Sequence, residues 1–167
     1  MDTRRMSSLV GFCGVVMAAF SICVLVVNAV AEQPKPDFTG TWKMNPSKSR
    51  LARQHGGEGD VYKIKHSEPK VEMEHLFNGR TETYSYVTDG KEHTANRSGP
   101  DGEARAKTYW DGNVLVIEKL QSTGSGSSAW TSRFALSSDG MTLSVTHHVA
   151  KSPMSGDFVE EIVYDKE

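Results

Sequence analysis

From Gly40 onward the apolar residues return at every second position, in runs of five to nine residues separated by turn-forming pairs, and this limits the fold more than any other feature. Period two is the spacing of a strand with one buried face, and no helix-period stretch of useful length occurs. The runs predict ten strands, at Gly40–Met44, Asp60–His66, Val71–Phe77, Thr81–Val87, Lys91–Asn96, Glu103–Trp110, Asn113–Gln121, Ser128–Leu136, Met141–Val149 and Phe158–Lys166. Between them stand Asn78-Gly79, Asp89-Gly90, Asp111-Gly112 and Asp139-Gly140, pairs that adopt positive φ cheaply and so mark short hairpins between consecutive antiparallel strands. Two links are longer. Residues 45–59 contain Gly56-Gly57 and room for one helical turn around Ser47–Gln54, and residues 122–127 are a flexible Gly/Ser stretch. A meander of about 8–10 short strands protects its edges best by closing on itself. The expected fold is therefore all-β, an antiparallel up-and-down β-barrel, with a two-sheet sandwich as the alternative.

Alternation also sorts the faces. Along the ninth strand Met141, Leu143, Val145, His147 and Val149 share one side, and Thr142, Ser144, Thr146 and His148 the other. The first set is expected inside, together with Tyr62, Ile64 and His66, with Val71, Met73, His75 and Phe77, with Tyr84 and Tyr86, with Trp130, Phe134 and Leu136, and with Phe158, Ile162 and Tyr164. Val114-Leu115-Val116-Ile117 is apolar on both sides, which calls for a cover on its outer face.

Residues 1–31 have a different character. Arg4 and Arg5 precede an uncharged apolar run from Leu9 to Val27, which ends in Ala29-Val30-Ala31 before the polar Glu32-Gln33-Pro34-Lys35-Pro36. This is the order of a secretory signal peptide cleaved after Ala31, with the barrel domain at 36–167. The run is also long enough to be an uncleaved anchor, and in either case the domain is expected outside the membrane, in the periplasm or the extracellular space. After cleavage no stable membrane insertion is expected. Both cysteines, Cys13 and Cys23, fall inside the apolar run, so the domain has no thiol for disulfide, metal or nucleophilic chemistry. Of 19 basic and 21 acidic residues, cleavage removes Arg4, Arg5 and Asp2, leaving 17 and 20, a balance of about −3. Such a surface offers no attraction for nucleic acid.

The segment Asp37-Phe38-Thr39-Gly40-Thr41-Trp42-Lys43 resembles the opening strand of the calycin superfamily, the lipocalins and fatty-acid-binding proteins, which carries Gly-x-Trp after an aromatic or apolar residue. With Met44-Asn45-Pro46-Ser47-Lys48-Ser49 it is also similar to a group of secreted bacterial lipocalin-like domains, as are Thr88–His93, Tyr109–Ile117 and Leu136–Leu143. The resemblance implies a lipocalin-like barrel in which Trp42 plugs one end. It does not carry over a fatty-acid site. Residues 45–59 are too short for the helical lid of the fatty-acid-binding proteins, and in their final-strand Arg-x-Tyr clamp Tyr164 matches the Tyr while Ile162 stands in place of the Arg.

His66, His75, His93, His147 and His148 invite a metal reading, but adjacent strand residues face opposite ways, so His147 and His148 do not share a compact site. No metal, cofactor or catalytic set is assigned. Gly124-Ser125-Gly126-Ser127 reads as a linker rather than a nucleophile elbow, and Glu72/Glu74 and Glu160/Glu161 read as solvated pairs. Asn96-Arg97-Ser98 is a glycosylation sequon. The leading functional expectation is a binding module that holds a small apolar or amphipathic molecule against Tyr84, Tyr86, Trp130, Phe134, Leu143, Val145 and His147. The alternatives are a structural or interaction protein with a filled core and a partner on its outer face, and an isomerase- or lyase-type enzyme.

Overall fold

The computed structural model describes residues 34–52, 59–95, 104–123, 126–152 and 156–167. The signal segment 1–31, the sequon at 96–98, Gln54 and the pair Gly124-Ser125 lie outside these residues. The described chain forms ten strands and no helix: β1 (Gly40–Met44), β2 (Val61–Ser67), β3 (Lys70–Phe77), β4 (Arg80–Val87), β5 (Glu92–Ala95), β6 (Ala104–Asp111), β7 (Val114–Thr123), β8 (Gly126–Leu136), β9 (Thr142–Ser152) and β10 (Gly156–Lys166). All pairings are antiparallel, and the order β4-β3-β2-β1-β10-β9-β8-β7-β6-β5 is a meander whose first strand pairs with its last. The result is a nearly closed up-and-down barrel.

The β3–β4 hairpin turns on Asn78 at φ 50° and Gly79 at φ 71°, the two consecutive positive values that match a two-residue loop to strand twist. Asp89-Gly90 behaves differently from the hairpin expected there. β4 and β5 are the two edges of the sheet, and the link between them crosses an unpaired seam. Its amides bond elsewhere: Thr88 N–H donates to the Pro69 carbonyl at 2.8 Å, and Gly90 N–H to the Thr108 carbonyl at 2.9 Å. The helical turn expected near Ser47 is also replaced. Residues 46–48 form a turn, Asn45 and Arg50 donate to the β10 carbonyls of Val163 and Glu161, and Ser49 Oγ accepts from Val163 N–H. Backbone donors that a helix would satisfy internally are satisfied by β10 instead.

One end of the barrel is packed shut. Phe38, Trp42, Leu143 and Tyr164 have no exposed surface, and Trp42 Nε1–H donates to the Phe38 carbonyl at 2.9 Å. Phe38 stacks on Trp110 at 5.8 Å, with the His66 ring 5.9 Å from each. Gly40, at φ 152°, has a backbone conformation that side chains rarely adopt, and a Cβ there would come within 2.9 Å of Lys166 Cε, displacing the flexible chain whose ammonium lies 5.1 Å over the Trp42 ring. Glu68, in the β2–β3 turn, fastens the seam at this end. It accepts from His66 Nε2 at 2.9 Å, from Trp110 Nε1–H at 2.8 Å and from the Thr88 hydroxyl, and so joins β2, β6 and the end of β4.

Of the outward apolar residues of β7, Val114 is half-buried, Leu120 is exposed, and Val116 is fully buried between its cross-strand partners Tyr109 and Arg133. Those side chains are held by Tyr109 Oη–H donating to Glu118 at 2.9 Å and by Arg133 donating to Asp111 at 2.6 Å. Long polar residues thus supply a cover over Val116, part of what the sequence pattern called for. Met141, expected inside, is 53% exposed. It belongs to the turn after Gly140, where its amide bonds Asp139 Oδ1 and its carbonyl accepts from Lys166, so strand alternation does not yet govern it.

Candidate functional site

Toward the end of the barrel opposite the Trp42 plug, the interior opens into a cavity of about 280 Å³. Its walls come from β2, β3, β4, β7, β8, β9 and β10, because antiparallel register brings the inward residues into continuous rows. Across one row Phe158, Glu160 and Ile162 of β10 stand opposite Val149, His147 and Val145 of β9, and these stand opposite Trp130, Ser132 and Phe134 of β8. On the other side Tyr62 faces His75, and His75 faces Glu82.

Five of the seven residues expected to meet a ligand, Tyr84, Tyr86, Trp130, Phe134 and His147, line the cavity. Leu143 and Val145 point inward as expected but are fully buried in the core and do not line it. Strand alternation assigns a side, and depth along the barrel axis is set by register, which a single sequence does not display.

The cavity also holds polar groups that the sequence reading did not assign to it: Asp60, Glu82, Lys119 and Glu160. Glu160 corrects the expectation of a solvated Glu160/Glu161 pair, being 2% exposed on the inner face of β10. Its parity with Phe158, Ile162 and Tyr164 was the available signal. Asp60, also 2% exposed, sits at the mouth of β2 with Oδ1 bonded to His75 Nε2 at 2.7 Å and accepting from the Tyr164 hydroxyl at 3.4 Å. The His75 ring stacks on Tyr62 at 4.0 Å. Burial, with the Asp60 carboxylate close by, raises the Tyr62 hydroxyl well above its ordinary value; burial does the same to Tyr164, aided by Tyr62 and Asp60. Both phenols therefore stay protonated as donors.

On the facing wall Ser132 Oγ and His147 Nδ1 are 2.8 Å apart, and the His147 ring meets Trp130 edge-on at 5.9 Å. The Tyr84 hydroxyl donates to Glu82. Lys119 of β7 reaches across the unpaired seam to β4: its ammonium lies 5.1 Å from the Tyr84 ring and 5.4 Å from that of Trp130. Chemically this is an aromatic-walled chamber with fixed acceptors and donors, suited to orienting a small molecule with one polar end. His147 is partly buried inside and His148 exposed outside, and among the described residues no group of three or more His, Cys, Asp or Glu side chains is placed to hold a metal.

No protein-family profile matches the chain, and no curated protein does. Among solved structures the chain is similar to a secretary abundant heat soluble (SAHS) protein from Ramazzottius varieornatus, with a TM-score of 0.59 and 16% identity over 82% of this chain and 100% of that one. The similarity is one of fold. It supports the β-barrel fold of this chain.

Proposed function

We propose that the protein is an exported binding module that holds one small amphipathic molecule in the open end of its barrel. The observation that carries this reading is the cavity of about 280 Å³ walled by Tyr84, Tyr86, Trp130 and Phe134. That volume equals roughly nine waters at liquid density, which suits a ligand of about one ring, and a barrel serving only as a scaffold would fill it with side chains. The N-terminal signal pattern supports export.

Binding of an environment-sensitive apolar dye tests the reading. The folded wild type is expected to bind it stoichiometrically, and Tyr84→Ala and Trp130→Ala to weaken it about fivefold or more, as loss of a partly buried aromatic contact does. Thr146→Lys, on the opposite face of β9, leaves it unchanged. Equal effects at Tyr84 and Thr146 would contradict the site.

A second reading, an isomerase- or lyase-type enzyme, is favoured by the two hydrogen-bonded imidazoles that face the cavity, His75 on Asp60 and His147 beside Ser132. Turnover, rather than retention, of the bound molecule distinguishes it.

A further inference from the structure

We propose that the ligand is an organic cation, a small amine carrying an aromatic or alkyl group, whose ammonium is received by Asp60. The inference rests on the binding reading above and specifies its ligand class.

The first ground is the state of Asp60. The residue is buried at the cavity wall, its Oδ1 is occupied by His75 and Tyr164, and its Oδ2 is buried with no hydrogen-bond partner among the described residues. A buried carboxylate oxygen without a donor is costly, and an ammonium arriving from the cavity supplies a charged one.

The second ground is the charge of the chamber. Asp60, Glu82 and Glu160 contribute three acidic side chains to the lining and Lys119 one amine, so acidic groups outnumber the amine. A ligand carboxylate adds to that excess, and a cation offsets it. Among the described residues no arginine lines the cavity, and Glu160 stands on its inner face two residues before the apolar Ile162.

The third ground is the aromatic lining. Ring faces attract cations at about the distance at which the Lys119 ammonium already sits over Tyr84 and Trp130, so these walls are able to hold a positive charge inside the barrel.

Isothermal titration with three probes of one shape and different charge tests the proposal: phenethylamine, 2-phenylethanol and 3-phenylpropionate. Phenethylamine is expected to bind roughly tenfold or more tightly than 2-phenylethanol, with 3-phenylpropionate the weakest. Asp60→Asn, close to isosteric, is expected to remove that advantage while leaving 2-phenylethanol within about twofold. If Asp60→Asn does not fold by circular dichroism, Glu160→Gln takes its place, and the charge series on the wild type decides the matter by itself. Binding of 3-phenylpropionate as tight as that of phenethylamine overturns the cation assignment and leaves the binding module standing. If neither the three probes nor the apolar dye bind, both readings fall.

Discussion

Truncating Trp42 is the perturbation with the largest consequence for the fold. The indole is fully buried at the packed end, it bonds the carbonyl of the equally buried Phe38, and it carries the Lys166 ammonium over its ring. An indole buries roughly 200 Å² of surface, which at about 25 cal/mol per Å² corresponds to about 5 kcal/mol, less the small part an alanine retains. The Phe38 carbonyl also loses its donor, at a further cost of about 1 kcal/mol, while partial collapse of the cavity recovers some of the total. Trp42→Ala is therefore expected to lower unfolding free energy by about 3–5 kcal/mol. Urea unfolding followed by far-UV circular dichroism and by tryptophan fluorescence measures this, with an unchanged m-value indicating that the transition stays two-state. A loss below about 1 kcal/mol would show that the ring is not the plug and that the packed end is held by something else.

Two other outcomes follow from the structure and the sequence. Burial acts to raise the Glu68 carboxyl, but hydrogen bonds from Thr88, His66 and Trp110 outweigh it and hold it below its ordinary value of 4.5, so its contribution is present above that value and is lost as pH falls through the lower folded one. Glu68→Gln should cost about 1 kcal/mol at neutral pH, a modest figure for a carboxylate two-fifths exposed, and the gap from wild type should close as denaturation is repeated at successively lower pH. For export, Edman sequencing of the secreted protein should begin at Glu32, and recovery of the intact N-terminus in a membrane fraction would indicate an anchor.

The ten strands were legible because two local signals agree: alternation within each run, and a turn pair such as Asn78-Gly79 between runs. The seam was not. Asp89-Gly90 carries the same turn chemistry as the true hairpin at Asn78-Gly79, and only the partners of Thr88 and Gly90 on β2–β3 and β6 reveal that it bridges two edges. The site was half legible for a related reason. Parity placed Tyr84, Trp130 and Leu143 inside alike, yet packing fills the barrel near Leu143 and leaves it open near Tyr84 and Trp130. Glu160 shows where composition misleads: a glutamate reads as solvated by type, while its position between Phe158 and Ile162 puts it in the interior. Asp60, just before β2, and Lys119, on β7, share the inward parity of Tyr62 and Ile117, but like Glu160 they read as solvated by residue type, and only the structure sets them in the cavity wall, Lys119 opposite Trp130.

The most direct test of the binding module is native mass spectrometry of the protein purified from its natural source without a denaturing step. The account predicts a species heavier than the bare chain by the mass of one small molecule, released on collisional activation and absent from the Trp130→Ala variant. A single species at the mass of the bare chain, in protein whose cavity also fails to take up the apolar dye, would contradict it.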